Sequence, residues 1–293
     1  MANIREITAK SALHYHESKT PTNWDVNIYR GCGHGCRYCF AQYSHTYLGT
    51  DKFFHEIFVK TNVAEQLDRQ LSSRRWKGEA IKLGGVTDSY QPIEEQYELM
   101  PQILRVLIKH ENPVVITTKS ALIERDLPLL KELAKKTAVH VSFSITTPKE
   151  DLEKLLEPGA SPTKERFRAL QLCREAGCTT TVMLVPVIPL ITDSPQDLEE
   201  LFRLSRLHGA HHLLMWTLNL RGGTKPAFFR FLAQHFPSLR FAYRQLYAQG
   251  SKARKVFRNN IAELEQTLRC RYGLTVPTEE PETTVGQQLT LPF

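Results

Sequence analysis

The chain has 293 residues, 41% hydrophobic and 24% charged, and carries a net charge of +7 from 38 Lys and Arg against 31 Asp and Glu. That composition can bury a substantial core as one large domain or two small ones, and it excludes an intrinsically disordered chain. No run approaches the ~18 uninterrupted apolar residues of a spanning helix, and residues 1–10 lack the apolar stretch of a secretory leader, so a soluble cytoplasmic protein with no membrane association is expected.

In chain order, short runs of β-branched or continuous apolar residues predict strands over residues 25–29, 80–83, 114–118, 139–145, 180–187 and 212–218. Between them, apolar residues at three and four spacing predict helices over 64–71, 95–109, 122–136, 162–176 and 195–208. Six strand–helix repeats imply a parallel α/β sheet, either doubly wound or curled toward a barrel, with ligands gathered at the C-terminal strand ends. After residue 220 only helices are expected, over 227–235, 239–247 and 252–269. From residue 221 to 272 there are eleven Lys or Arg against two Glu, a local +9. Such a surface suits a polyanionic partner, and a solvated helical face is the alternative. The expected organisation is an N-terminal extension (1–23), an α/β core (24–220), a basic helical segment (221–272) and a disordered tail (273–293).

Six cysteines in a chain this long do not read as a disulfide scaffold. Cys32, Cys36 and Cys39 form a Cys-x3-Cys-x2-Cys triplet after the first expected strand, with Gly31 before it and Gly33 and Gly35 within it. Glycines let the loop wrap closely and turn N–H groups inward toward anionic sulfide. Three thiolates suit an iron–sulfur cluster with one iron open to an added ligand. A zinc site with His34 as fourth ligand is the alternative, although structural zinc favours cysteine pairs from two places. Cys173 and Cys178 are expected as buried free thiols, and neither they nor Cys270 is assigned to catalysis.

The triplet, with Tyr38 before the last cysteine, resembles that of the radical S-adenosylmethionine (SAM) superfamily. Further runs resemble its spore photoproduct lyase-like branch, also described as DNA repair photolyase-like: Asn27-x-Tyr29-x-Gly31-Cys32, the stretch Leu83-Gly84-Gly85-Val86-Thr87-Asp88-Ser89-Tyr90-Gln91-Pro92, Thr118-Lys119-Ser120, the run from Ser142 through Ser144 to Thr147, and Glu157-Pro158-Gly159-Ala160. These fall in order at expected strand ends. The resemblance implies a partial (β/α)6 radical-SAM barrel holding a [4Fe–4S] cluster, fed by an external electron donor, that cleaves SAM to methionine and a 5′-deoxyadenosyl radical. It implies Cys32, Cys36 and Cys39 as cluster ligands, and Lys119 and Ser144 facing the methionine moiety. It places Gly84, Gly85, Thr87 and Asp88 around the methionine amino group. Val185 to Pro189 and Met215–Trp216 would lie near adenine, with ordinary core packing as the alternative.

The chain also departs from the lyase pattern. Where the resemblance implies a hydrogen-donating cysteine, Val86 stands, and Phe40 replaces a tyrosine after Cys39, leaving Tyr38 and, farther along the loop, Tyr90 as candidate donors. Neither valine nor phenylalanine has an S–H or O–H to give, so repair of spore photoproduct itself is not expected. At the C-terminus, Gln288-Leu289-Thr290-Leu291-Pro292-Phe293 resembles a bacterial sliding-clamp-binding peptide, with Gln288, Leu289, Leu291 and Phe293 as contacts; folding back onto the domain is the alternative. Together these features predict a radical SAM enzyme, lyase-like, acting on DNA in repair or base modification. The alternatives are the same chemistry on RNA or a small metabolite, or a non-catalytic Fe–S protein bound to the clamp.

Overall fold

Six short runs rich in β-branched and apolar residues form the spine of one sheet in this computed structural model, which describes residues 2–17 and 22–276. In chain order the strands are β1 (Asn3–Ile7), β2 (Leu13–Tyr15), β3 (Trp24–Val26), β4 (Tyr29–Arg30), β5 (Glu56–Lys60), β6 (Ile81–Leu83), β7 (Val114–Thr118), β8 (Val139–Ser144), β9 (Thr179–Val187) and β10 (His212–Thr217). The helices are α1 (Val63–Leu71), α2 (Glu94–Tyr97), α3 (Leu99–His110), α4 (Leu127–Ala134), α5 (Glu150–Leu156), α6 (Thr163–Glu175), α7 (Pro195–Leu207), α8 (Thr224–His235), α9 (Arg240–Leu246) and α10 (Lys255–Tyr272). The large sheet runs β10-β9-β8-β7-β6-β3-β2, with β3 to β10 parallel throughout and β2 antiparallel at the edge. Its two edge strands do not pair with each other, so this partial (β/α)6 barrel stays open.

Every residue of β8 is buried, as expected of a parallel strand covered on both faces. The covering helices bury one stripe each: Leu99, Ile103, Leu104 and Leu107 on α3, Phe167, Leu170 and Cys173 on α6, and Leu198, Leu201 and Phe202 on α7. Ser194 caps α7 by accepting from Asp197 N at 3.1 Å, and Pro195 occupies its first turn, where the lost N–H costs nothing. Cys173 and Cys178 are buried free thiols and Cys270 is exposed.

All six expected strands form, with one difference. The run 25–29 splits at Asn27, whose side chain bonds back to Asp25, so β3 ends at Val26 and β4 crosses to a second sheet of order β1-β5-β4. β1, β2, β5 and α5 had no counterpart in the expected elements. The first 23 residues are more than an extension: β1 pairs in parallel with β5, Asn3 opposite Glu56 through Ile7 opposite Lys60, and β2 completes the large sheet.

The basic segment is also more than a solvated face. Phe228, Leu232, Tyr243 and Tyr247 on and after α8 and α9 are buried with Leu218, Leu220 and Ile188 in a second core, which also takes in Cys36, Tyr38 and Leu156. Helix α10 packs on α7 and β10, and Arg269 donates to Leu213 O at 2.7 Å. Beyond it, Leu274 is buried and Thr275 pairs with His212 at the edge of β10. The expected clamp-binding residues Gln288, Leu289, Leu291 and Phe293 lie outside the described residues. No helix is long and apolar enough to cross a membrane among the described residues.

Candidate active site

The cysteine loop is clamped from three sides. After β4, Gly31 takes a φ of +87°, and a Cβ there would sit 2.3 Å from the Glu56 carbonyl oxygen, so only glycine lets the loop turn against β5. Gln91 brackets the next turn, accepting from Gly33 N at 2.8 Å and donating to Gly31 O at 3.0 Å. From the third side, Gly159 N donates to His34 O and Arg37 N to Leu156 O, both at 2.9 Å. A Cβ on Gly159 would meet Gly33 O at 2.4 Å, which explains a glycine at this contact.

Cys32, Cys36 and Cys39 are free thiols, and all three line one cavity of about 740 Å³ at the C-terminal strand ends. Burial pushes the Cys32 thiol up to about 12, and Cys36 and Cys39 upward as well. The thiolates therefore need a metal's positive charge to form, and metal loading must release protons. Among the described residues no three His, Cys, Asp or Glu side chains converge on a single ion, and the His34 ring faces Asp88 at 3.4 Å. Three thiols on one short loop, all bordering one cavity, suit the thiolate ligation of an iron–sulfur cluster.

Beside the thiols lies a buried ionic network. Lys119, at the end of β7, donates to Ser144 Oγ at the end of β8, lies 3.3 Å from Glu157 and sits 5.5 Å from the centre of the Tyr38 ring. Glu157 also meets Arg166 at 2.6 Å, accepts from Thr146 Oγ1 at 2.6 Å and accepts from the Tyr38 hydroxyl. Arg166, wholly buried on α6, reaches Glu153 at 2.8 Å and donates to Ser144 O at 2.7 Å. Burial alone would push the Glu157 carboxyl up, but Arg166 and Lys119 hold it well below the usual carboxylate range. Lys119 thus donates to Ser144 and lies at ion-pair distance from Glu157, with further donors on its ammonium.

The turn after β6 approaches equally closely. Gly84 takes a φ of +84°, and a Cβ there would lie 2.1 Å from Thr117 O. Asp88 accepts from Tyr90 N at 2.9 Å, Thr118 Oγ1 at 2.8 Å and Lys119 N at 2.7 Å, so its carboxylate fixes the backbone that carries Lys119.

Of the expected site residues, the three cysteines, Tyr38, Gly84, Gly85, Asp88, Lys119 and Ser144 all border the cavity. Thr87 and Tyr90 do not. Thr87 donates to Tyr29 O at 3.0 Å, and Tyr90 is enclosed in the main core, where burial and the Asp126 carboxylate push its hydroxyl well up. Val185, Pro186, Met215 and Trp216 border the cavity, whereas Val187 and Ile188 pack into core. Sequence reasoning gave no role to Glu157 or Arg166. The available signal was Arg166 within the apolar stripe shared by Phe167, Leu170 and Cys173, a place where an unpaired arginine is too costly to bury.

A parallel α/β barrel with three thiols, a lysine and glycine turns at its C-terminal mouth defines an enzyme centre built around a thiolate-held metal cofactor. Residues 26–204 match the family model described as the radical SAM superfamily, and the chain belongs to that superfamily. Its members use a [4Fe–4S] cluster and SAM and need an electron donor. A Mycobacterium tuberculosis protein described as uncharacterised is 37% identical over 98% of this chain and 88% of its own. An uncharacterised Methanocaldococcus jannaschii protein is 28% identical over 66% of this chain and 71% of its own. The fold is similar to that of spore photoproduct lyase complexed with a dinucleoside spore photoproduct, at a TM-score of 0.68 and 15% identity, covering 92% of this chain and 79% of that one.

Proposed function

We propose that the protein is a radical SAM enzyme acting on DNA, in repair or base modification, with spore photoproduct itself excluded as substrate. One observation carries the reading: the cavity that the three cysteines border at one part is bordered elsewhere by Arg221, Lys252 and Arg258 of the basic segment. A reactive centre and a polyanion-binding surface then share one enclosure. The similarity in fold to a lyase solved with a dinucleoside photoproduct supports the same direction. Val86 and Phe40, both on the cavity wall, offer no hydrogen atom and argue against the lyase's own reaction.

In this reading Cys32, Cys36 and Cys39 hold the cluster. When bound, it supplies the electron that cleaves SAM to methionine and a 5′-deoxyadenosyl radical. Lys119 and Ser144 receive the carboxylate of SAM, with Lys119 held in place by Glu157. Gly84 and Gly85 let the backbone approach the methionine amino group, while Asp88 braces the loop. Tyr38, its hydroxyl committed to Glu157 and Thr146, supports Lys119 from below with its ring face. Apolar Met183, Val185 and Met215 keep water from the reacting atoms. The C-terminal peptide Gln288–Phe293 tethers the enzyme to the sliding clamp and raises its concentration at DNA.

The test is release of 5′-deoxyadenosine by anaerobically reconstituted protein given SAM and dithionite, without nucleic acid, with intact DNA and with UV-damaged DNA. Release stimulated by damaged DNA is expected. Release indifferent to DNA would overturn the DNA assignment in favour of RNA or a metabolite, and no release would favour an Fe–S binding module. Deleting residues 288–293 should abolish clamp binding and leave iron content unchanged; retained clamp binding would end the tether proposal.

A further inference from the structure

The outer part of the cavity differs in character from the part near the thiols. There, Lys119 and Asp88 are engaged by their neighbours. Arg221, Lys252 and Arg258, by contrast, have no carboxylate within ion-pair distance among the described residues, although they border the same space. Arg258 Nε is fixed by Ala253 O at 3.1 Å, and the Asn219 amide, turned so that its nitrogen meets Ser251, accepts from Arg221 Nε at 3.1 Å. Asn219 in turn bridges to Lys252 in the backbone. The three cations thus belong to one braced corner. Gathering like charges without counterions is unfavourable, and an anion relieves it.

Trp216 borders the same cavity. Along β10 residues 212–215 are buried, but at Trp216 the ladder is interrupted: Met215 pairs with Leu184 and Thr217 with Val187, so Val185 and Pro186 together face one residue. A bulge of this kind re-aims side chains, and Trp216 emerges 48% exposed on the cavity wall. Trp24 and Trp76 instead pack edge-to-face on each other. An exposed indole on the wall of a cavity that these cations also border suits one nucleotide taken out of its helix: the base on the ring, the phosphates on the cations.

We infer that this corner is a binding site for a single unpaired nucleotide of a nucleic-acid strand, with Trp216 as the stacking platform and Arg221, Lys252 and Arg258 as phosphate contacts. The inference rests on the nucleic-acid reading above and deepens it, since it makes single-stranded or everted bases the substrate class.

The experiment measures fluorescence anisotropy of 5′-labelled 12-nucleotide single-stranded DNA, the same sequence as RNA, and the DNA duplex, with reconstituted holoenzyme and SAM over a salt series. Single strands are expected to bind at least about tenfold tighter than duplex. Trp216→Ala should weaken single-strand binding roughly 5- to 100-fold. Arg221→Gln, Lys252→Gln and Arg258→Gln should each flatten the slope of log K against log salt by about 0.7. Lys131→Gln, an exposed cation on α4, serves as the control and should change neither. Whether the DNA or the RNA arm binds tighter identifies the strand. Equal affinity for duplex, or variants that leave affinity and slope unchanged, would overturn the inference. SAM cleavage in the same preparations separates the two failures: cleavage without this binding pattern sinks only the nucleotide site, whereas the pattern without cleavage sinks only the radical reading.

Discussion

Replacing Glu157 by glutamine removes one charge from the buried network while keeping its size and its ability to accept from Tyr38 and Thr146. In the wild type, Glu157 is 2% exposed and lies 2.6 Å from Arg166 and 3.3 Å from Lys119. Removing one partner of a buried pair costs about 3–5 kcal/mol, because the remaining charge stays desolvated. Arg166 retains Glu153 at 2.8 Å and the carbonyls of Ser144 and Ser161, so the loss falls at the lower end, about 3 kcal/mol. At about 2 °C per kcal/mol for a chain of this size, Tm should fall by roughly 6 °C. The sign with pH is also defined. A carboxyl whose pKa is depressed in the fold contributes stability that is full above its unfolded pKa, near 4.3, and is lost as pH falls below it. The variant should therefore differ most from wild type at pH 7 and converge with it in acid. Thermal unfolding of the metal-free protein followed by circular dichroism at pH 7.5 and pH 2.5 reads both effects. A Tm within 2 °C of wild type at pH 7.5 would refute the network as a source of stability. Double-mutant cycles with Lys119→Met would then be expected to show no coupling.

Gly159→Ala should prevent cluster assembly, since the new methyl group would overlap Gly33 O and push the cysteine loop away; iron and sulfide counts after reconstitution check this, and wild-type content would contradict it. Gln91→Ala leaves Gly33 N and Gly31 O without their partner, at about 1–3 kcal/mol, and hydrogen exchange across residues 31–36 should accelerate. His140, bonded to Thr181 at 2.7 Å and stacked 6.3 Å from His212, has its pKa lowered to about 3 by burial and by its neighbouring histidines. A histidine kept neutral in the fold stabilises fully above its unfolded pKa of 6.5 and progressively less below it, so His140 accounts for about 2 kcal/mol of stability lost between pH 8 and pH 5. Urea unfolding of wild type and His140→Gln at both pH values should show the variant losing that much less.

The large sheet was legible in the sequence because each of its parallel strands is a short apolar run between Gly, Pro or polar residues, and β7, β8, β9 and β10 appear almost to the residue. The small sheet was not. β1 mixes Arg5 and Glu6 with two half-buried isoleucines, and its partner β5 lies 49 residues away, so nothing local announces the pairing. The site shows the same division. Cysteines and glycines advertise themselves, because few other residues can do what Gly31 and Gly84 do. Tyr90 and Thr87 share a loop with Gly84 and Asp88, but only the folded loop reveals which way each side chain turns. Glu157 and Arg166 carry ordinary surface identities, and their burial follows from tertiary contacts between the end of α5 and α6 that no spacing encodes.

The two parts of the cavity are built from different materials, and this separates their tasks. Around the thiols, Lys119 and Ser144 come from strand ends, Asp88 from the turn after β6, Glu157 from the end of α5 and Arg166 from α6, and each is engaged by hydrogen bonds or ion pairs before a ligand arrives. The rim comes from the segment after β10, packed on a core where Phe228, Leu232, Tyr243 and Tyr247 meet Cys36 and Tyr38 of the cysteine loop, and it presents cations with no carboxylate at ion-pair distance among the described residues. A preorganised, neutralised pocket favours one fixed cofactor geometry. An uncompensated basic rim gains energy mainly from whatever phosphate it meets, in a salt-dependent and sequence-tolerant way. Substitutions in the rim should therefore alter which strand is bound without altering iron content. On the proposed function, point substitutions at Arg221, Lys252 and Arg258 are then the changes that would shift polyanion preference, whereas exchanging whole helices beyond residue 220 would also disturb the core that holds Cys36 and Tyr38.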